Sequence, residues 1–249
     1  MKPFLAVLLL TLPLPAASIV NGGQLLTQAN ANQLAAWLGQ GDLTLTDVYS
    51  GTPGAGNSTG FHTAVDGLGP TFSIIQTNLG LVGGFDPIAW SSSGNYNVDP
   101  DDSGRTAFLF NLSTGLKFLQ RSVSQGSIGG DTGYYQTYNN SSYGPTFGGG
   151  HDLGIPSANL SNGYAYSYSY GNGTNGANLF GATGQLTSFN IVRVEAYTFS
   201  PQATATPEPA MFLLCGGALV LLRWLHRRYV RPNANVACQV VELSCESAA

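Results

Sequence analysis

The chain has 249 residues, 13 acidic against nine basic, for a formal net charge of −4, and only 9% of its residues are charged. Residues 19–206 hold four basic side chains (Arg105, Lys117, Arg121, Arg193) against ten acidic ones, a net of −6 with no basic patch, which argues against nucleic acid as a partner. All three cysteines lie at or beyond Cys215, so that stretch has neither disulfides nor thiolate metal ligands.

The N-terminus reads Met1, Lys2, the apolar run FLAVLLLTLPLP, then Ala16, Ala17 and Ser18. A short charged start, an apolar run too short to span a bilayer and a small-residue cleavage site make a secretory signal peptide over residues 1–18. The mature chain is expected to begin near Ser18 or Ile19. In QLLTQANANQLAAWLG, residues 24–39, Leu26, Ala29, Gln33 and Trp37 with Leu34 and Leu38 recur at helical spacing, and Gly39 stops the run. Period two then takes over. LTLTDVYS, PTFSIIQT, LVGGF, RTAFLFNL, YAYSYSYG and SFNIVRVEAYTF read as strands bounded by Gly, Pro, Asn and Ser clusters. Strict alternation in the last of these puts Phe189, Ile191, Arg193 and Glu195 on one side, with Arg193 and Glu195 as an ion-pair candidate. The reading is a mainly β domain over residues 19–200, an antiparallel β-sandwich with one or two short helices at its margin. No repeat with a fixed period argues for a propeller or solenoid.

A Pro-rich linker, 201–209, follows. Ala210 to Leu222 is free of charge, short of the ~20 residues that a spanning helix wants, and reaches a workable length when Arg223 snorkels and Trp224 and Leu225 sit at the interface. This predicts a single transmembrane helix and Arg cluster over 210–228. Arg223, Arg227, Arg228 and Arg231 place the end of the chain in the cytoplasm and the β domain outside. A tail, 229–249, carries Cys238 and Cys245.

Pro207-Glu208-Pro209, an apolar segment and then Arg227 and Arg228 resemble the PEP-CTERM sorting signal of Gram-negative envelope proteins. The resemblance implies an exosortase-type processing enzyme as partner, inner-membrane anchoring before processing, then release to the cell surface or matrix, with exopolysaccharide as an associated polymer. The tail 229–249 departs from the usual form, which stops soon after the basic cluster. Phe61-His62, the GPTF starting at Gly69, Gly83-Gly84-Phe85 with Trp90, Phe108-Leu109-Phe110 and the run Phe147 to Leu153 are similar, in one order, to segments of the TLDc domain. That resemblance covers about Leu25 to Phe199 and implies a β-sandwich, with no catalytic residues and no cofactor.

Four motifs invite chemistry. The run Phe147, Gly148, Gly149, Gly150, His151, Asp152 lacks the Lys and Ser/Thr of a phosphate loop, and adjacent His and Asp side chains diverge in extended backbone, so a turn is expected. Gly56-Asn57-Ser58-Thr59-Gly60 matches a nucleophile elbow in letters only, because it follows a flexible SGTPGAG stretch. Asn97, Asp99 and Asp101 have the first spacings of a calcium loop, but Asp102 and Phe108 stand where Gly and Glu belong, leaving only a looser oxygen site. Tyr164, Tyr166, Tyr168 and Tyr170 alternate with Ala and Ser, either as core packing or as a ligand platform. The function expected is a non-catalytic binding or structural module outside the cell. The alternative is an extracellular hydrolase of matrix polymers drawing on His62, His151, Asp152 and Glu195.

Overall fold

The computed structural model describes residues 16–125, 132–171 and 176–202. The expected signal sequence before residue 16 lies outside these residues. So do Pro207, Glu208 and Pro209, the apolar segment with Arg227 and Arg228, and the tail with Cys238 and Cys245. Among the described residues no helix is long and apolar enough to cross a membrane.

The elements in chain order are β1 (Ala17–Val20), α1 (Gln28–Leu38), β2 (Leu43–Gly51), α2 (Ser58–Val65), β3 (Thr71–Thr77), β4 (Gly80–Asp86), β5 (Asn95–Val98), β6 (Phe108–Asn111), β7 (Leu116–Leu119), β8 (Tyr135–Asn139), β9 (Leu153–Gly154), β10 (Asn162–Ala165) and β11 (Thr187–Pro201). Thr27 caps α1 by accepting from the Asn30 N–H at 3.2 Å, and Gly39, with φ of 73°, ends it. The stripe it buries is Ala31, Leu34 and Ala35; Ala29 and Gln33 are exposed instead. Asn57 caps α2 through its side chain, which accepts from Gly60 N–H at 2.6 Å. Six polar or small residues in its eight, and a glycine-rich approach, leave this second helix without a helical apolar period in the sequence.

The strands form a mixed nine-stranded sheet in the order β1-β2-β11-β3-β4-β6-β7, with β10 on β11 and β9 on β10, and a separate β5-β8 ribbon. The mixed character departs from the all-antiparallel expectation at one pair, β1 on β2, which runs parallel. The crossover between them contains α1, as a parallel connection requires. The expected mature start near Ser18 falls inside β1. β11 is the spine: its first residues pair β10, its middle β3 and its end β2.

The sheet is sandwiched. One face packs Leu43, Leu45, Phe72, Ile74, Phe110 and Tyr197 against α1; the other packs Ile75, Val82, Val194 and Ala196 against α2 and the segments carrying Trp90, Phe147 and Leu153. A register shift between Ile191 and Arg193 sets two residues of β11 opposite one of β3. The alternation changes phase there, so Phe189 and Ile191 share a core with Val194 and Ala196 while Glu195 and Tyr197 turn to the α1 side. Strict period two through this strand was therefore wrong. The expected Arg193–Glu195 contact becomes indirect: Arg193 Nη1 donates to Ser50 Oγ at 2.7 Å, and Ser50 donates to Glu195 Oε1 at 3.4 Å.

Gly84 lies beneath Phe147, and a Cβ there would sit 2.6 Å from the ring Cζ and 2.8 Å from Leu109 Cδ2. Gly84→Ala is expected to cost about 1–3 kcal/mol, the range for overpacking a tight core. A urea midpoint equal to that of the unaltered protein would show that Phe147 does not close over this strand.

Candidate functional site

The glycine run is a tight turn. Phe147 and Leu153 exchange backbone hydrogen bonds at 2.8 and 3.3 Å, while Gly148, Gly150 and His151 take φ of 85°, 87° and 64°. Left-handed backbone suits the two glycines and strains His151, and such strain in a non-glycine residue calls for surroundings that hold it. Those surroundings differ on the two sides of the turn.

Asp152 points inward and is 1% exposed. Its Oδ1 accepts from the backbone N–H groups of Tyr168, Ser169 and Tyr170 at 2.5, 2.9 and 3.0 Å, and Oδ2 accepts from Ser169 at 2.8 Å. Burial pushes its carboxyl up to about 7, against the pull of these three N–H groups and of Arg121. A Cβ on Gly148 would fall on this carboxylate, which gives that glycine a packing reason as well as a conformational one.

His151 points outward into rings. Its Nδ1 lies 2.7 Å from the Tyr164 hydroxyl and its Nε2 3.2 Å from that of Tyr96. Tyr138 stacks on it with centroids 5.3 Å apart and planes 28° apart, and Tyr143 meets it edge-on at 5.5 Å. The array continues through Tyr96 on Tyr138 at 4.8 Å, Tyr96 on Tyr135 at 4.9 Å and Tyr135 on Tyr134 at 5.2 Å. All of these rings are half-buried. A register shift in the β5-β8 ribbon brings Tyr135 and Tyr138, three apart, onto one face with Tyr96.

Burial lowers the pKa of His151 and raises those of Tyr96 and Tyr164, with further increments from neighbouring tyrosines. Burial thus favours the neutral forms of His151, Tyr96 and Tyr164. One imidazole nitrogen donates to a tyrosine and the other accepts from one. The surface offers flat apolar faces edged by neutral hydroxyls, the combination that stacks on a sugar ring.

Only one residue of the expected tyrosine row joins this array. β10 ends at Ala165, and the chain then turns as Asp152 draws in the N–H groups of 168–170. Tyr164 meets His151, the rings of Tyr166 and Tyr168 lie 6.3 Å apart, and Tyr170 is 2% exposed, donating to Gln136 O at 2.8 Å. The row is thus part platform and part core. Tyr96, Tyr138 and Tyr143 were missed, although the tyrosine-rich run 134–143 was visible in the sequence.

The other candidates are apart from it. His62 is buried, its Nδ1 2.7 Å from Asp66 Oδ1, and Ser92 donates to Asp66 Oδ2 at 2.7 Å. Glu195 is buried on the α1 side, accepting from the backbone of Gln24 and Leu25 at 2.7 and 3.1 Å and from Tyr197 at 2.7 Å. Near it, burial and the Glu195 charge push Asp47 up to about 6. No two of His62, His151, Asp152 and Glu195 share a hydrogen-bond partner among the described residues. Ser58 is 1% exposed in the first turn of α2, not at the apex of an elbow. Asn97 spends its amide on Ala89 O and Thr137 Oγ1, and Asp99 Oδ1 accepts from Asp101 N–H, so the Asn97 side chain serves the ribbon and that of Asp99 the turn. Among the described residues no group of three His, Cys, Asp or Glu side chains could hold a metal ion.

Asp86, fully buried, accepts from Ile88 N–H and Thr137 Oγ1 at 3.0 and 3.2 Å, and burial pushes it up to about 7. A carboxyl with a raised folded-state pKa binds its proton more tightly in the fold than in the unfolded chain. Its penalty is therefore absent below about pH 4, grows as pH rises and is complete above about 7. Asp86→Asn should gain stability relative to the unaltered protein across that window. Thermal melts at pH 4 to 8 with a constant difference between the two proteins would contradict this. No protein-family model matches the chain, and no curated protein matches it.

Proposed function

We propose that the chain is an exported cell-envelope or matrix protein whose TLDc-like β-sandwich is a non-catalytic module that binds carbohydrate through the tyrosine–His151 face. One observation carries the reading: half-exposed rings converge on a histidine fixed by two hydroxyls, over a turn held rigidly from beneath by Asp152. A rigid aromatic face loses little entropy on binding, and its hydroxyl edges supply direction.

The sequence reading supports the location: a signal peptide at the front, and the motif Pro207-Glu208-Pro209 with an apolar segment, Arg227 and Arg228 at the back. On this reading the chain is anchored by its C-terminal helix, meets an exosortase-type enzyme, and then associates with exopolysaccharide outside a Gram-negative cell. The separate settings of His62, His151, Asp152 and Glu195 favour binding over the alternative, hydrolysis of matrix polymers. The test is retention of the purified protein on exopolysaccharide, with the polymer's length analysed afterwards. Retention with unchanged polymer is expected; shortened polymer would replace binding with hydrolysis.

A further inference from the structure

β10 and β11 pair so that Asn162 faces Asn190 and Tyr164 faces Ser188, while Gly163 and Phe189 between them turn to the core. The four outward side chains, joined by Asn78, line a groove of about 500 Å³. Its floor can lie low because position 163 is glycine: a Cβ there would come within 2.6 Å of Gly154 O and of the Phe189 ring. Asn78 is held by accepting from Asn190 N–H at 2.8 Å, whereas the amides of Asn162 and Asn190 and the hydroxyl of Ser188 make no hydrogen bond to other described residues. Each amide offers both a donor and an acceptor, a match for neighbouring hydroxyls.

Tyr164 is the wall common to this groove and to the aromatic face. Its ring lies over Gly154, where a Cβ would come within 3.0 Å of it, and its hydroxyl meets His151. The groove lining has no ionisable group besides Tyr164, whose pKa is raised, and the surrounding domain carries a net charge of −6. Amides and hydroxyls without cations give a polyanion nothing to pair with, and the negative domain repels it.

We infer that the β10–β11 groove is a second subsite that continues the aromatic face and selects neutral glycan chains of more than one sugar over uronic-acid polymers. This rests on the carbohydrate-binding reading above. Calorimetry with the full chain would compare neutral oligosaccharides of increasing length with oligouronates, for the unaltered protein and for the double variant Asn162→Ala, Asn190→Ala. Both asparagines are exposed, so the fold should be kept. The double variant is expected to lose about tenfold or more in affinity for the longer neutral chains, the effect of two lost hydrogen bonds, and nothing for a monosaccharide that reaches only the aromatic face. Unaltered affinity of the double variant for long chains, or a preference of the parent protein for oligouronates, would overturn the groove and leave the aromatic face standing. Failure of every carbohydrate to bind would sink both together.

Discussion

Asp152→Ala is expected to lower stability by about 3–5 kcal/mol, the range for stranding several buried polar groups. The carboxylate is the acceptor for three consecutive backbone N–H groups, 168 to 170; the antiparallel bridge of Tyr170 to Gln120 beside them engages the Ser169 carbonyl and the Gly171 N–H instead and so does not take its place. Water cannot easily replace it, because Ser169 and Tyr170 are themselves buried. Asp152→Asn keeps an oxygen where Oδ1 sits and should cost less than half as much. Urea unfolding followed by tyrosine fluorescence measures both. A small domain holds only about 5–15 kcal/mol, so the alanine variant should unfold at far lower urea, and His151 should lose its fixed place above the turn. Equal midpoints for the alanine variant and its parent would mean that the segment after β10 is held by something else.

Tyr143→Ala is expected to weaken carbohydrate binding about 30-fold or more, the loss typical of a central aromatic anchor, with little change in stability. Its ring touches Tyr138 and His151 but is half-buried, and the turn it closes is made by its backbone N–H to Asn140 O at 2.8 Å, which alanine keeps. Tyr138→Phe is the companion. It removes a hydroxyl that accepts from Asn140 Nδ2 at 3.1 Å and leaves the stacking face on His151, so binding should persist. Affinity unchanged in Tyr143→Ala would remove the face from the binding reaction, and loss in Tyr138→Phe would assign the energy to hydroxyls rather than to ring faces.

Much of the fold was legible. Leu43 to Gly51, Thr71 to Thr77 and Gly80 to Asp86 alternate or run apolar as strands should, and Thr27 and Gly39 bracket α1 in the expected manner. The short elements β1, β5, β7, β8 and β9 were not, because two to five residues hold too little pattern to distinguish a strand from a loop. Bulges did the rest of the damage. One extra residue in β11 reverses which side Glu195 faces, and one in β8 unites tyrosines that strict alternation would separate.

The site was half legible for a similar reason. His151 and Asp152 do point apart, as adjacency suggested, but nothing local shows that Asp152 reaches 16 to 18 residues forward or that Tyr96 comes 55 residues back to meet His151. Tertiary pairing of the ribbon against the turn makes those contacts, and an expectation built on Tyr164 to Tyr170 as one straight row could not see it.

The most direct measurement of the central claim is NMR of the His151 ring during titration with a neutral oligosaccharide. Its two nitrogens are engaged by Tyr164 and Tyr96, so a sugar stacking on this face must change its surroundings. A saturable shift of the His151 ring protons, tracking the calorimetric affinity and accompanied by Tyr143 and Tyr164, is the predicted result. Saturable binding that leaves His151 unmoved, with shifts gathered instead around Asp47 and Glu195 on the α1 side, would contradict it.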